Sequence, residues 1–257
     1  MIYLDNGATS FPKPPQVVRA AEEAMVRAAN PGRGGYKAAM AAAEIVFDCR
    51  EQAAALFSCK PEQVVLTANC THGLNIAIGS LFGDGSRVLI SGFEHNAVTR
   101  PLYARGCKVK IAGRRLFCWE ELLDSFRREL RQGVDGAVFT HVSNVFGYIL
   151  PVNEMAAECR AAGVPFVLDA AQSAGSLPVD FGALGAEFIA MPGHKGLLGP
   201  QGTGLLLCGD PGKPLLFGGT GTLSREKTMP EDLPERLEAG TLNVPGYAGL
   251  TQGLRYL

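Results

Sequence analysis

Seven short apolar runs punctuate the chain: VVLTA (64–68), RVLIS (87–91), CKVKI (107–111), GAVFTHV (136–142), PFVLDA (165–170), EFIAM (187–191) and GLLLC (204–208). Runs of this length with few polar breaks are the pattern of strands buried on both faces. The stretches between them have helical spacing. In CWEELLDSFRRELRQG, Leu122, Leu123, Phe126 and Leu130 fall on one face, and Gly133 follows as a stop. NEMAAECRAAGV predicts a helix with Asn153 as N-cap and Gly163 as C-cap. Alanine-rich helices are expected over 14–29 and 36–57. Strands alternating with helices predict an α/β domain with a mostly parallel seven-stranded sheet flanked by helices.

The stretch GYAGLTQGLRYL carries a helical stripe of Tyr247, Leu250, Leu254 and Leu257 that runs to the last residue without a cap. Such a stripe predicts a bare apolar face and a truncated chain; the alternative is a helix that docks on the domain.

Composition narrows the classes. The length of 257 residues fits one large domain, or one and a half. With 47% hydrophobic and 19% charged residues, the chain has the balance of a soluble globular protein with a sizeable core. A net charge of −1 leaves no basic footprint for nucleic acid and no steering toward a membrane. The cluster RRELR (127–131), interrupted by Glu129 and Leu130, is the solvated face of a helix. Seven cysteines with no C-x-x-C argue against a zinc knuckle or a disulfide framework. The opening MIYLDNGATS lacks a secretory pattern and no apolar run reaches about 18 residues, so a reducing cytoplasm is expected.

Ligands of α/β sheets bind beyond the carboxyl ends of strands. There the chain places Thr71, His72 and Gly73 at a helix start, His95 at another, Asn144, then Asp169 with Gln172, and finally His194 with Lys195. His95 reads equally as a helix cap, and Asn144 as turn chemistry. Asp169 ends an apolar run, so its carboxylate needs a cationic partner. Lys195 is either that partner in a salt bridge or a reactive amine. GPQGTG is not a phosphate loop, because no G-K-[ST] closes it, and it precedes a strand. Taken together, the set suits a ligand with an anionic group, a flat ring for His95 to cover, a cationic ring atom for Asp169 and a carbonyl for Lys195. Pyridoxal phosphate has all four. Lys195 would be its Schiff-base partner, and the neighbouring glycines would let backbone pass close to the cofactor.

The run VLDAAQSAGSLPVDF…MPGHKGLLGPQGTG resembles the signature of class V aminotransferases, in the cysteine desulfurase and selenocysteine lyase branch. YLDNGATSFPKP, NPGRGGY, EHNAVTRP, HVSNVFG and RLEAGTLNVPG resemble the same branch, in the same order. The resemblance implies the large domain of a fold type I pyridoxal-phosphate-dependent transferase over residues 1–257, with an N-terminal arm of about 14 residues. It implies that Lys195 carries the cofactor and that His95 stacks on the ring and moves protons. Asp169 would hold the ring nitrogen and Gln172 the ring hydroxyl. Thr71, His72 and His194 would hold the phosphate, Asn144 would serve cofactor and substrate, and Arg33 would border the substrate. FGGTGT (217–222) resembles a loop that reaches the neighbouring subunit's cofactor, which implies a homodimer with Thr220 or Thr222 at the contact.

The implied reaction converts L-cysteine, or its selenium analogue, to L-alanine and passes the sulfur on as a persulfide, with a sulfur-acceptor protein as a further partner. Three departures stand out. Pro192 occupies a place where the family often has a phosphate-binding serine, Cys70 and His72 replace a commoner threonine and glutamate, and the small domain with the persulfide cysteine is absent from this chain. The alternatives are a class V aminotransferase or β-lyase, and a catalytically incomplete dimerisation or binding module.

Overall fold

All seven apolar runs become strands of one sheet: β1 (Val64–Thr67), β2 (Arg87–Ser91), β3 (Lys108–Ala112), β4 (Gly136–Thr140), β5 (Phe166–Asp169), β6 (Phe188–Pro192) and β7 (Gly204–Cys208). The structure is a computed structural model that describes residues 2–32, 34–223 and 225–257. Across the sheet the order is β1-β7-β6-β5-β4-β2-β3. β7 runs antiparallel to both β1 and β6, whereas β3, β2, β4, β5 and β6 pair in parallel. The prediction of a mostly parallel sheet therefore holds, with one reversed strand.

Among the described residues eight helices surround the sheet: α1 (Pro15–Arg27), α2 (Lys37–Phe57), α3 (Cys70–Leu81), α4 (Asn96–Ala104), α5 (Trp119–Arg131), α6 (Val152–Ala162), α7 (Phe181–Leu184) and α8 (Val244–Tyr256). Side chains alternate across each strand, so the two faces feed two cores. Phe139 and Leu168 join Phe57, Phe126 and Met155 under α2, α5 and α6. Val138 and Val167 face the other way and join Leu74, Ile78, Val98 and Leu102 under α3 and α4. Both faces being covered explains why the strands read as continuous apolar runs.

Two expectations are corrected. Pro151, not Asn153, caps α6; Val152 is buried and starts the helix, which leaves Asn153 exposed inside it. Gly163 does end α6, at φ 64°. The stripe on α8 is not bare. Tyr247, Leu250 and Leu254 are buried in the core, Leu257 is exposed, and the Tyr247 hydroxyl donates to the Thr67 carbonyl at 3.0 Å. The apolar face of α8 is docked, as the alternative expected, because α8 packs against α1 and α2.

The topology fixes where a ligand belongs. From β2 the chain steps outward to β3, then returns past β2 to β4 and proceeds the opposite way through β5 and β6. The crevice at this reversal lies beyond the carboxyl ends of β2 and β4. Register sharpens it, because Thr140 of β4 pairs with Asp169 of β5, and Asp169 with Ala190 of β6.

Candidate active site

A cavity of about 290 Å³ opens at those strand ends. Thr71, His95, Asn144, Asp169, Gln172, His194 and Lys195 all line it, together with Cys70, Thr140 and Pro192. Residues up to 125 positions apart, from Cys70 to Lys195, thus converge because they sit at or just beyond the carboxyl ends of five strands of one sheet, β1, β2, β4, β5 and β6.

The α3 wall is built by Asn69, whose side-chain oxygen accepts from the His72 N–H at 2.9 Å and caps the helix. That cap leaves the N–H groups of Cys70 and Thr71 without partners among the described residues. A helix start with free N–H groups favours an anion. The His72 ring does not border the cavity; its Nδ1 accepts from the Ala68 N–H at 3.3 Å. Burial lowers its pKa, so the ring is held neutral.

His95 caps α4, and its Nδ1 accepts the Ala97 N–H at 3.1 Å. The capping reading therefore holds, and His95 also lines the cavity. Because Nδ1 is an acceptor, a neutral His95 carries its proton on Nε2.

Asp169 is 2% exposed. Its Oδ1 accepts from the Ala171 N–H at 2.9 Å and from the Cys70 thiol at 3.4 Å. Burial raises its pKa, against the lowering effects of those two donors and of nearby His95 and Lys195. Lys195 forms no ion pair with it: among the described residues no Lys195 contact to a carboxylate lies within 4.0 Å. The salt-bridge reading of Lys195 is therefore set aside, and the Asp169 carboxylate faces the cavity without a cation.

The N-terminal arm closes the opposite side. The His194 carbonyl accepts from Ser10 N–H at 3.0 Å, Thr9 Oγ1 at 3.0 Å, Ser10 Oγ at 3.1 Å and Lys13 Nζ at 2.8 Å. The His194 ring Nδ1 meets Thr9 Oγ1 at 3.1 Å. Burial, then Lys195 and Lys13, lower the His194 pKa, while burial lowers that of Lys13 to about 8. Gln172 Nε2 donates to the Gly7 carbonyl at 3.1 Å.

The glycines around Lys195 are also demanded by the protein's own packing. A Cβ on Gly193 would meet Thr203 Oγ1 at 2.1 Å, and one on Gly196 would meet the Ala174 carbonyl at 2.3 Å. They let the β6–β7 connection pack against the turn after β5, and so set the position of Lys195.

Other predicted residues lie elsewhere. Thr220 and Thr222 line a second cleft with Gly32, Phe47, Arg50 and Glu238, and their hydroxyls are 3.2 Å apart. Arg33 lies outside the described residues. One group beside the site, Glu94, had no place in the sequence reading. Glu94 Oε1 accepts from Ser91 N–H, Ser91 Oγ at 2.5 Å and Thr140 N–H at 3.0 Å, while Oε2 is buried without a partner. Cys70 stood out only as a neighbour of the anion motif. The signal for Glu94 was its place beside His95, but its contacts with the end of β4 are made through space.

The sequence matches the family described as Aminotransferase class-V over residues 2–257. The chain belongs to that family. It is 35% identical to a probable cysteine desulfurase of Methanothermobacter thermautotrophicus, over 100% of this chain and 66% of that protein. It is 34% identical to one of Pyrococcus abyssi, over 100% of this chain and 67% of that one. A solved apo cysteine desulfurase from Thermococcus onnurineus superposes with a TM-score of 0.89 at 32% identity, covering 99% of this chain and 66% of that one. An Escherichia coli cysteine desulfurase gives 0.80 at 26%, covering 99% and 67%. The chain thus spans about two thirds of the length of these relatives.

Proposed function

We propose that this chain is the cofactor-binding part of a pyridoxal-phosphate-dependent cysteine desulfurase, acting on L-cysteine or its selenium analogue as a homodimer. One observation carries the cofactor reading: a buried carboxylate, Asp169, and an unpaired amine, Lys195, share a cavity that also has a helix start with free N–H groups. The group fits these residues. Its phosphate suits the N–H groups of Cys70 and Thr71 with the Thr71 hydroxyl, its ring nitrogen suits Asp169, and its carbonyl carbon suits Lys195. When bound, the cofactor supplies an electron sink for charge developing at the substrate's alpha carbon.

The remaining work falls to the chain's own groups. A cation against Asp169 favours its ionised form and offsets the cost of its burial. Lys195, in no ion pair among the described residues, stands where a nucleophile or base is needed. His95 presents Nε2, since Nδ1 is engaged, and can hand over or receive one proton. Gln172 and His194 are fixed by the N-terminal arm, which also limits water on that side. Cys70 is buried, bonded to Asp169 and has its pKa raised well above the ordinary thiol value, so it is a poor sulfur acceptor. On this reading the sulfur-accepting thiol comes from a part of the whole enzyme outside this chain, which the greater length of the relatives leaves room for. Thr220 and Thr222, away from the cavity of their own chain, suit a contact with the second subunit.

The reading is tested by titrating the purified protein with pyridoxal phosphate, reducing with borohydride and mapping the pyridoxyl adduct. An adduct on Lys195 is expected; a protein that stays colourless and unlabelled overturns the cofactor assignment. Incubation of the whole enzyme with L-cysteine should then release equal amounts of alanine and transferable sulfur. Amino transfer to a keto acid instead would favour the aminotransferase alternative.

A further inference from the structure

The second donor on Asp169 has a consequence for the site. Oδ1 is taken by the Ala171 N–H at 2.9 Å and by Cys70 Sγ at 3.4 Å, whereas Oδ2 has no hydrogen-bond partner among the described residues. The backbone donor comes from the turn after β5, and the thiol comes from the first residue of α3. One carboxylate oxygen is thus anchored from two elements, and the side chain, 2% exposed, lines the cavity. We propose that Cys70 is a positioning residue: its S–H donates to Asp169 Oδ1, holds the carboxylate plane and leaves Oδ2 as the oxygen offered to a cationic ring atom. This rests on the cofactor reading given above.

The chemistry of sulfur explains what such a donor does. A thiol is a weak donor, so it orients the carboxylate while withdrawing less of its charge than a hydroxyl would. Burial and the charge of Asp169 both disfavour the thiolate, so the sulfur keeps its proton and remains a donor. The same contact couples the helix start, where an anion would sit, to the carboxylate that would meet a cationic ring atom. An anion drawn onto the Cys70 N–H and a cation held by Asp169 would then be set at a fixed separation by one residue.

The test uses Cys70→Val, which removes the donor and is somewhat larger than the thiol, and Cys70→Ser, which keeps a donor. The infrared S–H band, assigned by the wild-type-minus-Val difference, should lie at the lower frequency of a bonded thiol and move up in Asp169→Asn. Pyridoxal phosphate uptake should weaken about three- to tenfold in Cys70→Val, and the pH at which the bound cofactor's visible band changes should shift. Cys70→Ser should restore both toward wild type. An ordinary S–H band, or a Val variant with wild-type uptake and spectrum, overturns the inference while the cofactor reading stands. A wild-type protein that takes up no cofactor overturns both, and is recognised because it fails before any variant is compared.

Discussion

Lys195 and Asp169 line one cavity without forming an ion pair. Each is the natural partner of the other in a buried site, yet the fold places them at the ends of different strands, on the turn after β6 and at the last residue of β5. A ligand with a carbonyl at one end and a cationic atom at the other satisfies both at once.

This separation predicts an asymmetry between stability and function. Lys195 has no polar side-chain partner among the described residues, so Lys195→Ala should change folding stability by less than about 1 kcal/mol. The same change should abolish the borohydride-stable adduct. Thermal melting alongside pyridoxyl labelling checks it; a drop in melting temperature of ten degrees would mean that Lys195 holds the fold together.

Glu94 predicts a pH dependence. Burial is the largest influence on its carboxyl and raises it from 4.5 to about 8, with a further push from Asp169. A carboxyl whose pKa is higher in the folded state binds more protons when folded, so stability is highest at acid pH and falls as pH rises through the window between about 4.5 and 8. Glu94→Gln cannot ionise and loses that decline. The difference in melting temperature, variant minus wild type, should therefore rise by several degrees between pH 5 and pH 8.5 (roughly 2–4 °C per kcal/mol at this chain length). A difference that stays flat across the range would show that Glu94 remains ionised when folded.

The architecture was readable from the pattern of apolar runs because both faces of most of the sheet are covered; edge strand β3, which exposes Lys108 and Lys110, carried the weakest signal. Boundaries were harder. GAVFTHV stops pairing at Thr140, because His141 and Val142 turn away to meet the segment around Ile149 and Leu150. Asn153 has the chemistry of a cap, but burial of Val152 starts the helix earlier. The apolar stripe on α8 could not reveal its own partner, since α1 lies some 230 positions away in sequence. At the site, residues that directly follow a strand were legible. The contacts of Cys70 with Asp169 and of Glu94 with Thr140 were not, because each joins segments far apart in the chain. The glycines near Lys195 were legible as a close backbone approach, but their protein neighbours, Thr203 and the turn around Ala174, were not.

Those glycines yield a prediction. Gly175 has φ +79°, and a Cβ there would lie 2.4 Å from the Gly196 carbonyl oxygen; a Cβ on Gly196 would lie 2.3 Å from the Ala174 carbonyl oxygen. Backbone atoms cannot step aside as a flexible side chain can. Gly196→Ala should cost about 2 kcal/mol or more and, by moving the neighbouring Lys195, reduce pyridoxyl labelling in the molecules that still fold. Denaturant midpoints and labelling yield report the two effects separately. A variant with wild-type values in both would mean that the two turns can separate freely.

The second cleft has a different dependence. Arg50 NH2 meets Glu238 Oε2 at 2.7 Å with side chains 9% and 7% exposed, and NH1 reaches Oε1 at 2.8 Å, making a two-pronged pair. Arg50 also donates to the Val64 carbonyl, and Glu238 Oε1 accepts from the Leu66 N–H at 2.6 Å, so the pair ties β1 to the segment that precedes α8. Removing one partner leaves the other charge buried, which typically costs ~3–5 kcal/mol, whereas replacing both with apolar residues costs far less. Arg50→Met and Glu238→Leu should each be severely destabilised and the double variant largely restored, as read from urea unfolding of all four proteins. The coupling should be strong because neither group has another charged partner within 4.0 Å among the described residues. Additive losses in the double variant would mean that water already reaches the pair and that β1 is held by its strand pairing with β7 alone.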